Sequence, residues 1–196
     1  DSGEREDAFK SALAYTRGDR FEPLDGYKTF TSHYHVEMTI ERLRDIERHK
    51  KQGEPDRHPR PEFVDVLRDM GVNIAHLAEF HLGDGDLKIA PRIDRLKLMH
   101  EECARWSDER LLLLPGEEPN VHLGGHWISF FPKPVYWTLD RTKDQPFVEE
   151  DPTLGKIYHV GNADDVLKLM EAENGLMWTA HPRIKGSLGF PDVYKS

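Results

Sequence analysis

Leu111-Leu112-Leu113-Leu114-Pro115-Gly116-Glu117-Glu118 places four consecutive leucines before a proline, a glycine and two carboxylates. A run with no polar face reads as a strand buried on both sides, the habit of a parallel sheet covered by helices. On either side lie segments of the same kind. Val72 to Ala78 is a short apolar run ending near Glu79 and His81. Tyr27-Lys28-Thr29-Phe30-Thr31 is aromatic and β-branched and runs into His33-Tyr34-His35. Trp127 to Phe131 and Leu176 to Ala180 are two further strands, the second followed by His181-Pro182.

Between the strands the apolar spacing becomes helical. Thr39 to Lys51 carries Ile40, Leu43 and Ile46 on one face. Phe63, Val64, Leu67 and Met70 form a second helix stopped by Gly71, and Ile93, Leu96, Met99 and Cys103 mark a third. Asp164 to Glu173 is a fourth, with Val166, Leu167, Leu169 and Met170 inward and Asn174-Gly175 after it. Alternation of strand and helix predicts an α/β fold: a parallel sheet with helical crossovers, open or closed into a barrel. Lys133 to Asp151, with Tyr136, Trp137 and Phe147, reads as a long surface insertion, either a self-packed surface loop or one that helps shape a pocket. Residues 1–26 are a charged N-terminal extension with a short helix over Ala8 to Tyr15, and residues 27–196 form one domain.

The chain has 196 residues, enough for a single buried core, and 37% of them are hydrophobic against 32% charged, as in a water-soluble domain. No apolar run approaches the roughly 20 residues that span a bilayer. The sequence opens on Asp1 rather than Met and shows no signal peptide, which implies that an upstream segment has been removed. Its formal charge of -9 disfavours nucleic acid as a partner, though not an anionic small molecule, because bound divalent cations reverse the potential of a cleft. With Cys103 the only cysteine, neither a disulfide framework nor a thiolate zinc site is available, and its helical setting makes it a buried structural thiol.

The telling count is 11 histidines, because several stand at strand ends. In parallel α/β folds the C-terminal strand ends form the active-site rim. Here those ends carry His33 and His35, Glu79 and His81, Glu117 and Glu118 with His122 and His126 beyond, and His181. Residues i and i+2 of a strand point the same way, so His33 and His35 can reach one ion. Imidazoles mixed with carboxylates suit Zn, Mn or Fe, and two or three such ions would share a water of lowered pKa. Glu118 can bridge two ions. Arg183 and Lys185 can grip an anionic substrate. His49 and His58 read as solvated, His76 and His100 as structural, and His159 fits either description.

These residues resemble the PHP (polymerase and histidinol phosphatase) family of metal-dependent phosphoesterases. Its Asp-x-His-x-His motif is similar to Thr31-Ser32-His33-Tyr34-His35, its Asp-His strand end to Phe80-His81, and its Pro-Gly-x-Glu to Pro115-Gly116-Glu117-Glu118. A later histidine corresponds to His122 or His126, and Ala-His-Pro to Ala180-His181-Pro182. The resemblance implies a distorted β/α barrel with a polynuclear metal site, in which His33, His35, Glu79, His81, Glu118, His122, His126 and His181 supply ligands. Glu118, His126 and His181 stand closest to the chemistry. Thr31 and Phe80 stand where the family has Asp, and no final Asp-x-His follows. Such barrels usually need about 250 residues, so this chain corresponds to a shortened barrel or part of one. An amide, carbamate or ester hydrolase on the same fold, and a binding module without catalysis, are the alternatives. The amidohydrolases rank lower, since no lysine stands at a strand end.

Overall fold

In a computed structural model, residues 24–79, 91–119 and 121–180 are described. Among the described residues there are eight strands, β1 (Phe30–Tyr34), β2 (Ile74–Glu79), β3 (Leu112–Glu117), β4 (Trp127–Phe130), β5 (Tyr136–Thr138), β6 (Val148–Asp151), β7 (Gly155–His159) and β8 (Leu176–Thr179). The same residues form four helices, α1 (Met38–Gln52), α2 (Glu62–Asp69), α3 (Arg92–Trp106) and α4 (Ala163–Ala172). Ala8 to Tyr15, and with it most of the N-terminal extension, lies outside the described residues. None of the described helices is long and apolar enough to cross a membrane.

The leucine run does become a strand at the centre of a sheet. Five strands lie in the order β1-β2-β3-β4-β8, and β1, β2 and β3 are parallel as expected. Leu96, Met99 and Cys103 of α3 share one core with Ala75, Leu77 and Leu113. Crossover helices thus cover this face of the parallel half. Cys103 is 2% exposed and burial pushes its thiol well above the usual range, as expected of a structural cysteine.

The other half departs from a parallel sheet. β4 runs antiparallel to both β3 and β8. The link from Glu118 to His126 is too short for a crossover, which takes about a dozen residues, so the chain must turn back on itself. The result is a mixed α/β fold around a curled half-barrel of five strands; a closed barrel is not formed among the described residues.

The stretch from Lys133 to Asp151 is also not the surface loop expected. It contributes β5 and β6, which flank β7 in a second, three-stranded sheet. Trp137 on β5 is 1% exposed and joins the main core, and Arg92 of α3 lies over its ring at 4.7 Å. Its prolines delimit short strands and do not mark irregular chain. Three helical apolar assignments also shift. Ile46 is 36% exposed, and Met70 and Leu167 are 66% and 58% exposed because at 3.6 residues per turn they fall outside the arcs set by Val64 with Leu67 and by Val166 with Leu169.

His76 sits on β2 with 1% exposure and donates from Nε2 to the Ser129 carbonyl on β4 at 3.0 Å. Burial lowers its pKa, so it stays a neutral structural group. Its ring lies over Gly116, where a side chain would collide with the imidazole and meet the Leu77 carbonyl at 2.9 Å. We expect Gly116→Ala to destabilise the fold by about 1–3 kcal/mol through overpacking. Urea unfolding of the variant and the parent checks this; equal midpoints would contradict the close approach.

Candidate metal centre

Three stretches of chain meet at one edge of the main sheet. β1 brings His33, and His35 follows one residue after the strand ends; their rings stand edge to face with centroids 4.4 Å apart. β3 ends at Glu117, so Glu118 leaves the strand beside them, its amide donating to the Glu79 carbonyl at 3.3 Å. The reversal into β4 delivers His126. Gly124 and Gly125 hold left-handed backbone (φ 79° and 60°) that ordinary residues avoid, which lets this tight connection return. The Trp127 indole closes it by donating to the Gly124 carbonyl at 2.6 Å. Because β4 is antiparallel, its first residues lie where β3 ends. That puts a histidine preceding a strand at the same rim as histidines ending one.

Glu118 is the hub. It is 2% exposed, yet His33 Nε2 lies 2.8 Å and His35 Nε2 3.3 Å from its Oε2, and His126 Nδ1 lies 3.4 Å from its Oε1. The two carboxylate oxygens therefore address different imidazoles. His35 Nδ1 lies 2.9 Å from the Ala78 carbonyl, an acceptor, so that nitrogen carries a proton, and in the neutral ring Nε2 turns its lone pair to Glu118. A lone pair facing a buried carboxylate is stabilised only with a cation or proton between them. A backbone bond that fixes the tautomer is the usual arrangement for a metal-ligating histidine. Ligand atoms of His33, His35 and Glu118 all lie within 4.8 Å of one another, close enough to share one ion.

The remaining expected ligands are placed otherwise. Glu79 is 1% exposed and turns to α1, accepting from the Thr39 amide at 2.8 Å and from the Thr39 hydroxyl. Glu117 points to the opposite side of β3 from Glu118 and pairs with Arg92 at 2.5 Å, within a buried setting. Of the two later histidines, His126 joins Glu118, whereas His122 is exposed and contacts the Leu139 carbonyl at 3.0 Å. His81, His181, Arg183 and Lys185 lie outside the described residues. The Ala180 amide does donate to the His126 carbonyl at 2.9 Å, which ties the end of β8 to the site.

Thr39 and Arg92 support this rim, and neither carries a motif that would single it out. Two histidines expected in solvent are held by the fold instead. His58 Nε2 lies 2.7 Å from the buried carboxylate of Glu102, and His49 is 7% exposed with Asp56 at 3.8 Å. His100 is half-buried, and desolvation lowers its pKa.

Burial pushes the Glu79 carboxyl up to about 7, against the Thr39 hydrogen bonds and the Arg95 charge, which pull it down. A carboxyl raised in the folded state binds its proton more tightly there than when unfolded. Stability is therefore lost as pH rises from the ordinary carboxyl value through about 7. Glu79→Gln lacks that proton equilibrium. With chelator present, its stability relative to the parent should improve by about 2–3 kcal/mol between pH 5 and pH 8. Denaturant titrations at the two pH values measure it; a gap independent of pH would contradict the raised value.

No protein-family model, curated protein or solved structure matches the chain.

Proposed function

We propose that the chain is a PHP-like, metal-dependent hydrolase that cleaves phosphoesters of an anionic small molecule. One observation carries this reading: a buried carboxylate, Glu118, set among three imidazoles with its two oxygens turned to different ones. A lone structural histidine needs one acceptor, as His76 has in Ser129. Two imidazoles around one buried carboxylate oxygen and a third at the other suit a site built for cations.

Within this reading His33, His35 and Glu118 would hold a divalent ion, and His126, beside the other oxygen of Glu118, would add a further ligand. Zn, Mn or Fe fits these donors better than Mg or Ca, which favour all-oxygen shells. Such ions supply a water of lowered pKa and polarise the phosphoryl oxygen. The chain's own groups do the rest. The Ala78 carbonyl orients His35, and the β3–β4 reversal positions His126. Arg183 and Lys185 would neutralise the substrate's charge, and His181 would complete the ligand set.

The order of the five motifs, through the resemblance to a phosphoesterase family, ranks a phosphoester first, while the parallel β1–β3 rim serves an amide or carboxylic ester equally well. Purified without chelator, the parent should hold at least one Zn, Mn or Fe per chain by elemental analysis. It should also hydrolyse p-nitrophenyl phosphate with inhibition by inorganic phosphate. Glu118→Gln and His33→Ala should each lower metal content and drop the rate roughly a hundredfold or more. Metal and rate unchanged in both variants would overturn the site. Hydrolysis of amide substrates indifferent to phosphate would transfer the same residues to an amidohydrolase reaction.

A further inference from the structure

The second sheet carries a constellation that the metal reading does not use. β5 and β7 are parallel, and their last residues, Thr138 and His159, are register partners. Thr138 Oγ1 lies 3.0 Å from His159 Nδ1, and His159 Nε2 lies 3.0 Å from a carboxylate oxygen of Glu149 on β6. Hydroxyl, imidazole and carboxylate thus form a continuous line across three strands. The imidazole is 6% exposed and the Thr138 side chain half-buried, in an open depression lined also by Asp140, Thr142, Asp144 and Gln145.

Partner chemistry fixes the direction of this line. Glu149 can only accept, so His159 carries its proton on Nε2 and offers a lone pair at Nδ1. Gln145 agrees with that tautomer. Its Nε2 lies 3.0 Å from His159 Nδ1, while its Oε1 accepts from the Thr142 amide at 3.4 Å, so the amide group donates to the ring. Nδ1 has one lone pair, for which the Thr138 hydroxyl and the Gln145 amide compete at equal distance; the other acceptor in reach of Thr138, the Asp140 carbonyl, is more distant at 3.5 Å. A hydroxyl held against a base that a third group orients is the arrangement of an activated nucleophile.

We propose that Thr138, His159 and Glu149 form a second, metal-independent site for acyl transfer from carboxylic esters. Thr138 Oγ1 adds to the ester carbonyl carbon while its proton passes to His159 Nδ1. The adduct collapses by breaking the bond to the alcohol oxygen, which leaves with that proton, and the acyl group stays on Thr138. Water then gives a proton to Nδ1 and adds to the same carbonyl. The carboxylic acid departs and Oγ1 recovers the proton. Glu149, whose side chain is 59% exposed, accepts from Nε2 and orients the imidazole through both steps. Asp140, Asp144 and Glu149 around the depression disfavour anions, so the ester is uncharged or cationic, unlike the substrate proposed for the metal rim.

The test uses the full chain stripped with EDTA, which silences the metal rim, and p-nitrophenyl acetate as probe. The parent should release p-nitrophenol with a burst and carry an acetyl group on the peptide that contains Thr138. Thr138→Ser should keep both. The near-isosteric Thr138→Val should lose the acetyl group and fall roughly a hundredfold or more, as should His159→Asn. A parent rate no higher than that of Thr138→Val, or acetyl groups found only on lysines, would overturn the proposal. Failure here leaves the metal site untouched, since that site is assayed with metal and a phosphoester.

Discussion

A carboxylate without water around it must be paired, and Glu118 is held at 2% exposure with imidazoles on both of its oxygens. This constraint organises the rim. β1 has to end beside β3 for His33 and His35 to reach one oxygen, and parallel pairing through β2 brings it there. β4 has to reverse for His126 to reach the other, and two left-handed glycines permit the reversal. On the proposed metal-dependent reading, a divalent cation among these groups would convert an electrostatic cost into coordination bonds and so couple ion binding to local stability.

The surrounding charges are arranged to leave Glu118 as the carboxylate turned to those imidazoles. Side chains alternate along β3, so Glu117 falls on the helix-covered face and is neutralised by Arg92, whose guanidinium also stacks on Trp137. Glu79, at the same level on β2, is held by Thr39 and faces the Arg95 charge. Three acidic side chains reach the rim, and two of them are bound by groups from the helices. Trp137 also joins the second sheet to this region, since its carbonyl accepts from Arg92 Nε at 2.9 Å. The stretch that reads as an insertion is therefore part of the frame behind the site.

Much of the parallel half was legible in the residues themselves. The apolar stretch before Glu79 and the helical spacing of Leu96, Met99 and Cys103 state their burial directly, whereas the leucine run marks β3 but not its burial on both sides, since Leu112 is 45% exposed. The reversal of β4 was harder to foresee, because a strand's direction is set by the length of its connection and not by its composition. β5 and β6 were hidden for another reason. Three or four residues bounded by prolines and charges give no periodicity to read, and only pairing with β7 makes them strands. Among the histidines, His33, His35 and His126 share a carboxylate, as strand-end position suggests. His58 and His49 look solvated in sequence, yet distant acids hold them through tertiary contacts that spacing cannot reveal. The choice between His122 and His126 rests on the same point, since four residues of loop decide which imidazole faces inward.

Anomalous diffraction from crystals grown with Zn or Mn reports most directly on Glu118 as a ligand hub. A peak about 2.0–2.2 Å from His33, His35 and a Glu118 oxygen is the expected result, as coordination to these donors requires. An empty rim under saturating metal, or a peak bound only by surface acids elsewhere, would contradict it.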